Sequence, residues 1–286
     1  MIKRLSNYFE LTKPRLTSLV IVTTWLGYAF AARPVHYGLL FFHTMVGSWL
    51  VASGAAALNE YIERDRDALM KRTRGRPLPQ RRVKAGRALA FGMMLSFLGA
   101  LELALCVNPL TAVLSLISLG SYLLVYTPLK TRTSLCTLVG AVPGAIPPVM
   151  GWTAARGGFG PGAWILFAIL FIWQLPHFLA IAWMYREDYA RAGFPMLPVI
   201  DSDGAMTSRM IVLYTAVLIP VTLMPARLGM AGLPYFCAAL VLGFAFFAFG
   251  TWTAFRRTAA SARRLLLASV TYLPTLLTWM ACNKIA

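Results

Sequence analysis

The sequence predicts an all-α polytopic membrane protein, a bundle of nine transmembrane helices with its N-terminus inside. Three observations predict it. Hydrophobic residues make up 58% of the 286 and charged residues only 13%. Apolar stretches near the ~20 residues that a helix needs to cross the hydrocarbon core recur from end to end. Basic residues crowd onto alternate connections: all but four of the 27 Lys and Arg fall there, the exceptions being Arg33, Arg156, Arg227 and Lys284. By the positive-inside rule the rich side is cytoplasmic, or the matrix in a mitochondrion.

The first span is expected near Arg15–Ala32, after a basic start with no small-residue cleavage site, so it reads as an anchor and not a removed signal. The second, Tyr37–Tyr61, ends in polar and charged residues. The third and fourth, Arg87–Val107 and Pro109–Tyr126, meet at Asn108-Pro109. The fifth, Leu135–Ala154, contains the Gly-Pro-rich stretch Val139–Trp152, which is expected to break it, the alternative being a kink that neighbouring helices satisfy. The sixth is Pro161–Tyr185. Asp201 and Asp203 read as caps or loop acids before the seventh, Met206–Pro225. The eighth is Leu233–Phe255 and the ninth Arg264–Cys282. The four cysteines (Cys106, Cys136, Cys237, Cys282) show no metal-ligand spacing, which argues against disulfides or structural zinc. Residues 1–286 read as one domain. The net charge of +17 is read as anchoring on one side of a lipid bilayer, and no nucleic-acid partner is expected.

All but two of the ten acidic residues, Glu10 and Glu102, lie in or beside the 2–3 and 6–7 connections. Asn59, Glu63 and Asp67 are spaced four apart at the end of the second span. On a helix that spacing lines one face over about 12 Å. The other reading is a solvated helix end with paired charges, which fits Arg81, Arg82 and Lys84 better than polar groups at headgroup depth. Glu60 and Asp65 are expected to point elsewhere. Lys71, Arg72, Arg74 and Arg76 follow directly. Hard oxygen ligands beside guanidinium groups suit a divalent metal that holds a phosphate group.

The run NEYIERDRDALMKRTRGRPLP (59–79) resembles the first signature of the UbiA-type intramembrane prenyltransferases, a nine-helix family. LTKPR (11–15), YTPLK (126–130), VGAVPGAIPPVMGW (139–152) and QLPHFLAIAWMYREDYARAGFPMLPV (174–199) resemble its haem-farnesylating branch, in order along nearly the whole chain. The resemblance implies that Asn59, Glu63 and Asp67 bind Mg2+ bridging the diphosphate of farnesyl diphosphate. Arg15, Lys71, Arg72, Tyr126 and Lys130 would contact that diphosphate, although anchoring to anionic lipid competes for each cation. The acceptor would be haem b and the product haem O, formed with addition of water. The membrane would be the bacterial cytoplasmic (inner) one, the site on its cytoplasmic side, and haem A synthase or terminal-oxidase assembly the downstream partner.

Where the wider family carries a second aspartate pair, this chain has Tyr185 and Tyr189, with Asp188 one residue off. The resemblance assigns Asp188 to metal or diphosphate and Tyr185 to diphosphate or acceptor; an interfacial aromatic belt is the bland alternative for the tyrosines. His177, eleven residues before Asp188, should share its face unless Pro176 kinks the helix. It is the candidate to touch the haem; a hydrogen bond to a carbonyl freed near the proline is the alternative. His36 and His43 read as structural and Glu102 as snorkelling. Competing functions are a UbiA-type enzyme acting on an aromatic acid or quinone precursor, a membrane transporter, and a non-catalytic haem-delivery protein.

Overall fold

The computed structural model describes residues 2–32 and 37–285, with residues 2–4 as backbone alone. Arg33 and His36 lie outside the described residues. A short α1 (Ile2–Leu11) precedes α2 (Pro14–Ala31), α3 (Leu39–Asp67), α4 (Ala85–Cys106) and α5 (Pro109–Leu129). There follow α6 (Cys136–Arg156), α7 (Pro161–Met184), the short α8 (Arg186–Arg191) and α9 (Leu197–Ile200), α10 (Ala205–Arg227), α11 (Leu233–Arg256) and α12 (Ala259–Cys282). Eight of these are long and apolar enough to cross a membrane by length and composition. The 18-residue α2, counterpart of the first expected span, is not among the eight. Large apolar side chains such as Phe97, Leu124, Val241 and Phe244 are exposed on the outside of the bundle, as a lipid-facing surface requires and a water-facing one resists.

Helix ends fall where local chemistry places them. Asn108 caps α5 by accepting from the Thr111 amide, and Pro109 needs no hydrogen bond at the first helical position. Thr258 and Ser261 form a reciprocal capping box that starts α12 at Ala259, five residues before Arg264. At its other end α3 runs on to Asp67, past the expected stop at Tyr61, and so carries Glu63 and Asp67 on ordered helix.

The expected break in the fifth span does not occur. α6 is continuous through Pro143, Pro147 and Pro148. Pro147 deprives the Pro143 carbonyl of its usual partner, and Ser118 Oγ of α5 donates to that carbonyl at 3.1 Å. Gln174 of α7 donates to Ala141 O at 3.4 Å. Ser118 of the neighbouring α5 thus supplies the hydrogen bond that Pro147 removes, as lipid surroundings demand.

α6 is the hub of the bundle, and two glycines set its distance from α2. A Cβ at Gly27 would stand 1.9 Å from Pro148 O, and one at Gly151 the same distance from Thr24 O. Only backbone-to-backbone contact fits there. Gly27→Ala and Gly151→Ala are each expected to cost about 1–3 kcal/mol through overpacking, read as a lower thermal midpoint in detergent. Gly158→Ala, where a Cβ meets nothing within 4 Å, serves as the neutral control.

Candidate active site

The polar end of α3 is buried. Asn59 is 3% exposed, Glu60 1%, Glu63 6% and Asp67 0%. Each finds a basic or polar partner from another segment. Lys13 Nζ donates to Asn59 Oδ1 at 2.9 Å and Lys130 Nζ to Glu63 Oε1 at 2.6 Å. Arg76 Nη1 donates to Asp67 Oδ2 at 2.7 Å, and its Nε lies 3.8 Å from Glu60 Oε1. Asn59 Nδ2 also reaches Thr127 Oγ1 at 3.4 Å.

Glu60 corrects the expectation that it points elsewhere. It precedes Asp67 by seven residues, about 700°, which leaves the two side chains within about 20° of each other. Asp65 does point away, with its side chain 85% exposed beside Arg64. Counting from Asp67 as well as from Asn59 reveals Glu60 in the sequence.

The cations come from places that periodicity cannot foresee. Lys13 sits in a left-handed turn (φ 49°) just before Pro14 opens α2, which turns its side chain inward. Arg15, the cation expected from this motif, is exposed, and Lys13 is the one that reaches the buried cluster. Burial and the nearby Arg76 charge lower the Lys13 pKa to about 8, against the opposing pull of Glu60, Glu63 and Asp67. For Arg76 burial opposes the charge, but Asp67 and Glu60 outweigh it and raise the pKa. Lys130 follows a π-helical stretch, Ser121–Tyr126, in the last third of α5. Such stretches shift the side-chain register and cluster at functional sites. Here Tyr122 and Tyr126 stack at 5.6 Å, and Lys130 Nζ lies 5.3 Å from the Tyr126 ring and 5.2 Å from the Phe194 ring. Burial alone would lower the Lys130 pKa, but Tyr126 and Glu63 overcome it and hold it above the ordinary lysine value.

Two carboxylate oxygens remain unserved. Glu60 Oε2 and Asp67 Oδ1 are buried without a hydrogen-bond partner, each a cost of about 1–3 kcal/mol. A set of hard oxygens with two of them orphaned fits a small divalent cation such as Mg2+, which takes one or two carboxylates and leaves positions for phosphate oxygens and water.

Asp188 belongs to a second centre. Its oxygens accept from the backbone amides of Lys71 (3.3 Å) and Arg72 (3.2 Å) and from the Arg191 guanidinium. Among the described residues, neither Glu60, Glu63 and Asp67 nor Glu63, Asp67 and Asp188 bring three ligand oxygens within 4.8 Å of one another. Asp188 thereby fastens the 2–3 connection to α8. Arg72 covers the Tyr185 ring at 5.1 Å and donates to Tyr189 Oη at 3.4 Å. Lys71, Arg72, Tyr185, Asp188, Arg186, Arg191 and Arg257 line one cavity of about 740 Å³ between the 2–3, 6–7 and 8–9 connections. The expected diphosphate-binding residues thus divide between the two centres: Lys130 and Tyr126 stand at the buried one, Lys71 and Arg72 at the open one.

His177 lies deeper in α7, which continues through Pro176 and ends at Met184. Because the helix stops there, the face shared with Asp188 is lost. His177 Nδ1 instead meets Ser269 Oγ of α12 at 2.7 Å, and its ring stacks on Trp173 at 5.0 Å. Ser269 Oγ already donates its one hydrogen to Leu266 O at 2.6 Å, so it accepts from His177 Nδ1–H. The lone pair is then on Nε2. Asp201, three residues before the N-cap Gly204, accepts from the Thr207 amide and hydroxyl in the first turn of α10 at 2.6 and 2.7 Å.

A helical bundle with two facing polar connections and a buried oxygen cluster defines the class. The model described as the UbiA prenyltransferase family matches residues 20–273, and the chain belongs to that family, an enzyme family of prenyltransferases. It is 51% identical to the protoheme IX farnesyltransferase of Solibacter usitatus, over 97% of this chain and 98% of that one. A solved digeranylgeranylglyceryl phosphate synthase shares the fold with a TM-score of 0.83 over 99% of both chains at 16% identity. A UbiA homolog from Archaeoglobus fulgidus, solved with GPP and Mg2+ bound, matches with a TM-score of 0.69 over 96% of this chain and 99% of its own, at 13% identity.

Proposed function

We propose that the protein transfers a farnesyl group from farnesyl diphosphate to a vinyl group of haem b, with addition of water to give haem O. The observation that carries the chemistry is the buried oxygen cluster at the end of α3, with two orphaned carboxylate oxygens among three cations. The acceptor follows from the relatives. Asn59, Glu63 and Asp67 would hold Mg2+, with Glu60 completing the set and Asp188 at the second centre. Bound there, Mg2+ supplies charge to the diphosphate oxygens as the allylic C–O bond breaks.

The protein's own groups account for the rest. Lys13, Arg76 and Lys130 keep positive charge where the departing diphosphate takes up the bonding electron pair. Lys71 and Arg72 serve the same anion from the open cavity, next to Tyr185. The stacked faces of Tyr122 and Tyr126 lie beside this charge and ease the allylic cation while the bundle excludes water. The vinyl carbon attacks that cation, and water closes the resulting carbocation as hydroxide, releasing a proton. The vinyl group needs no general base to become a nucleophile. The oxygen cluster would face the cytoplasm of a bacterial inner membrane.

Membranes given labelled farnesyl diphosphate should label haem b and leave 4-hydroxybenzoate unlabelled; label on the phenol instead would assign the acceptor wrongly. His177 Nε2 carries the lone pair that can reach haem iron. Purified protein with haem b is expected to show a histidine-ligated Soret band that is lost in His177→Ala and weakened in Ser269→Ala. Identical spectra in wild type and His177→Ala would remove iron ligation from the reading.

A further inference from the structure

At the end of α3 opposite the oxygen cluster, about 36 Å away along the helix axis from Asp67, a second group of metal-type side chains converges. His43 Nδ1 lies 2.6 Å from Glu102 Oε1. One ligand atom each from His43, Glu102 and Cys106 fall within 4.8 Å of one another. The geometry points to a second, separate cation site here, for a borderline-soft divalent ion of the Zn2+ class held by imidazole nitrogen, carboxylate oxygen and thiolate.

The scaffold beneath it is rigid. α3 and α4 run antiparallel at backbone contact, with glycines at successive rungs. A Cβ on Gly54 would stand 2.7 Å from Gly92 O, and one on Gly99 would stand 2.7 Å from Gly47 O. His43 is one helical turn beyond Gly47, and Glu102 and Cys106 are the positions on α4 that face that turn. Glu102 and Cys106 are themselves four apart, the spacing that puts two ligands on one helix face. Interhelical close packing therefore determines where all three groups sit before any ion arrives.

The donor types select the ion. The cluster at Asp67 offers oxygen only, which suits Mg2+; nitrogen, oxygen and sulfur together suit Zn2+. Tetrahedral coordination with bonds of about 2.0–2.1 Å needs nitrogen and oxygen about 3.3 Å apart. His43 and Glu102, at 2.6 Å, must therefore separate by about 0.7 Å, within reach of side-chain rotation. Both residues are only partly buried, and Cys106 is exposed at the very end of α4, which leaves room for a fourth ligand. On binding, the Cys106 thiol releases its proton to solvent and the sulfur bonds the metal as thiolate. A hydrogen bond between His43 and Glu102 that serves only to join the helices is the competing account.

Co2+ distinguishes the two, because only a thiolate ligand gives sulfur-to-metal charge transfer in the near ultraviolet. Titrating purified protein with Co2+ in the presence of excess Mg2+ should develop that band at one equivalent. The band should vanish in Cys106→Ser and His43→Ala, and Glu102→Gln should weaken binding at least about tenfold, the usual loss when a metal site is incomplete. Farnesyl transfer at saturating Mg2+ should be unchanged in all three, which also shows that they fold. His43→Gln and Cys106→Ala provide the same test with less perturbation. Absence of the band in wild type, or its persistence in Cys106→Ser or His43→Ala, overturns the site, and neither result bears on the reaction at the other end of the bundle.

Discussion

Glu63→Gln is expected to lower turnover of farnesyl diphosphate by about 10³-fold, the scale of losing one preorganised electrostatic group, and to flatten its dependence on Mg2+ concentration. Glu63 is 6% exposed and its Oε1 accepts from Lys130 at 2.6 Å. Glutamine keeps the shape and one oxygen but removes the charge that a divalent ion needs. The substitution also leaves the Lys130 ammonium, itself 12% exposed, without its counter-ion. Breaking a buried pair from one side costs about 3–5 kcal/mol, so lost activity alone could reflect lost fold. Glu63→Gln with Lys130→Gln removes both charges and is expected to regain most of the thermal stability while turnover stays low. An initial-rate titration with Mg2+ on all three proteins checks this. Full turnover in Glu63→Gln, with an unchanged Mg2+ midpoint, would take Glu63 out of the metal-binding set.

Much of the architecture was legible because lipid imposes simple rules on a chain. Length and hydropathy marked the long helices, and Asn108-Pro109 marked a boundary that the asparagine cap then made. The face formed by Asn59, Glu63 and Asp67 follows from helical spacing alone. What the sequence obscured is non-local. Prolines in α6 read as a break or as a kink that neighbouring helices satisfy; that the partner is Ser118, 25 residues earlier, no local rule gives. Lys13 rather than Arg15 reaches the cluster because a left-handed turn, and not a helix, aims it. Arg76 reaches Asp67 through an irregular loop, where no period exists to read. The π-helical register that brings Tyr126 and Lys130 together has no compositional signature. Asp188 stood out in the sequence as a candidate, yet its binding to the amides of Lys71 and Arg72 depends on a pairing between residues more than a hundred positions apart.

Arg76→Met should destabilise the protein by about 3–5 kcal/mol in chelator, the cost of stranding buried charge, and Mg2+ should return part of that loss. Arg76 is the one side chain within 4 Å of both Asp67 and Glu60 among the described ion pairs, at 2.7 and 3.8 Å. The two carboxylates are 0% and 1% exposed and already leave Asp67 Oδ1 and Glu60 Oε2 without partners. Without the guanidinium, the two buried carboxyl groups lose the partner they share, with Lys13 and Lys130 the cations left beside the cluster. A divalent ion bound by the same oxygens would supply the missing positive charge, and a ligand that binds only the folded state stabilises it by RT ln(1 + [L]/Kd), about 2.7 kcal/mol at a hundredfold excess over Kd. Wild type, with Arg76 in place, should gain less from the same Mg2+, because the arginine competes for Asp67. Thermal midpoints of both proteins across a Mg2+ series measure the difference. If Mg2+ raises the wild-type midpoint as much as that of Arg76→Met, the arginine and the ion do not share these oxygens, and the metal must be placed elsewhere on the face of α3.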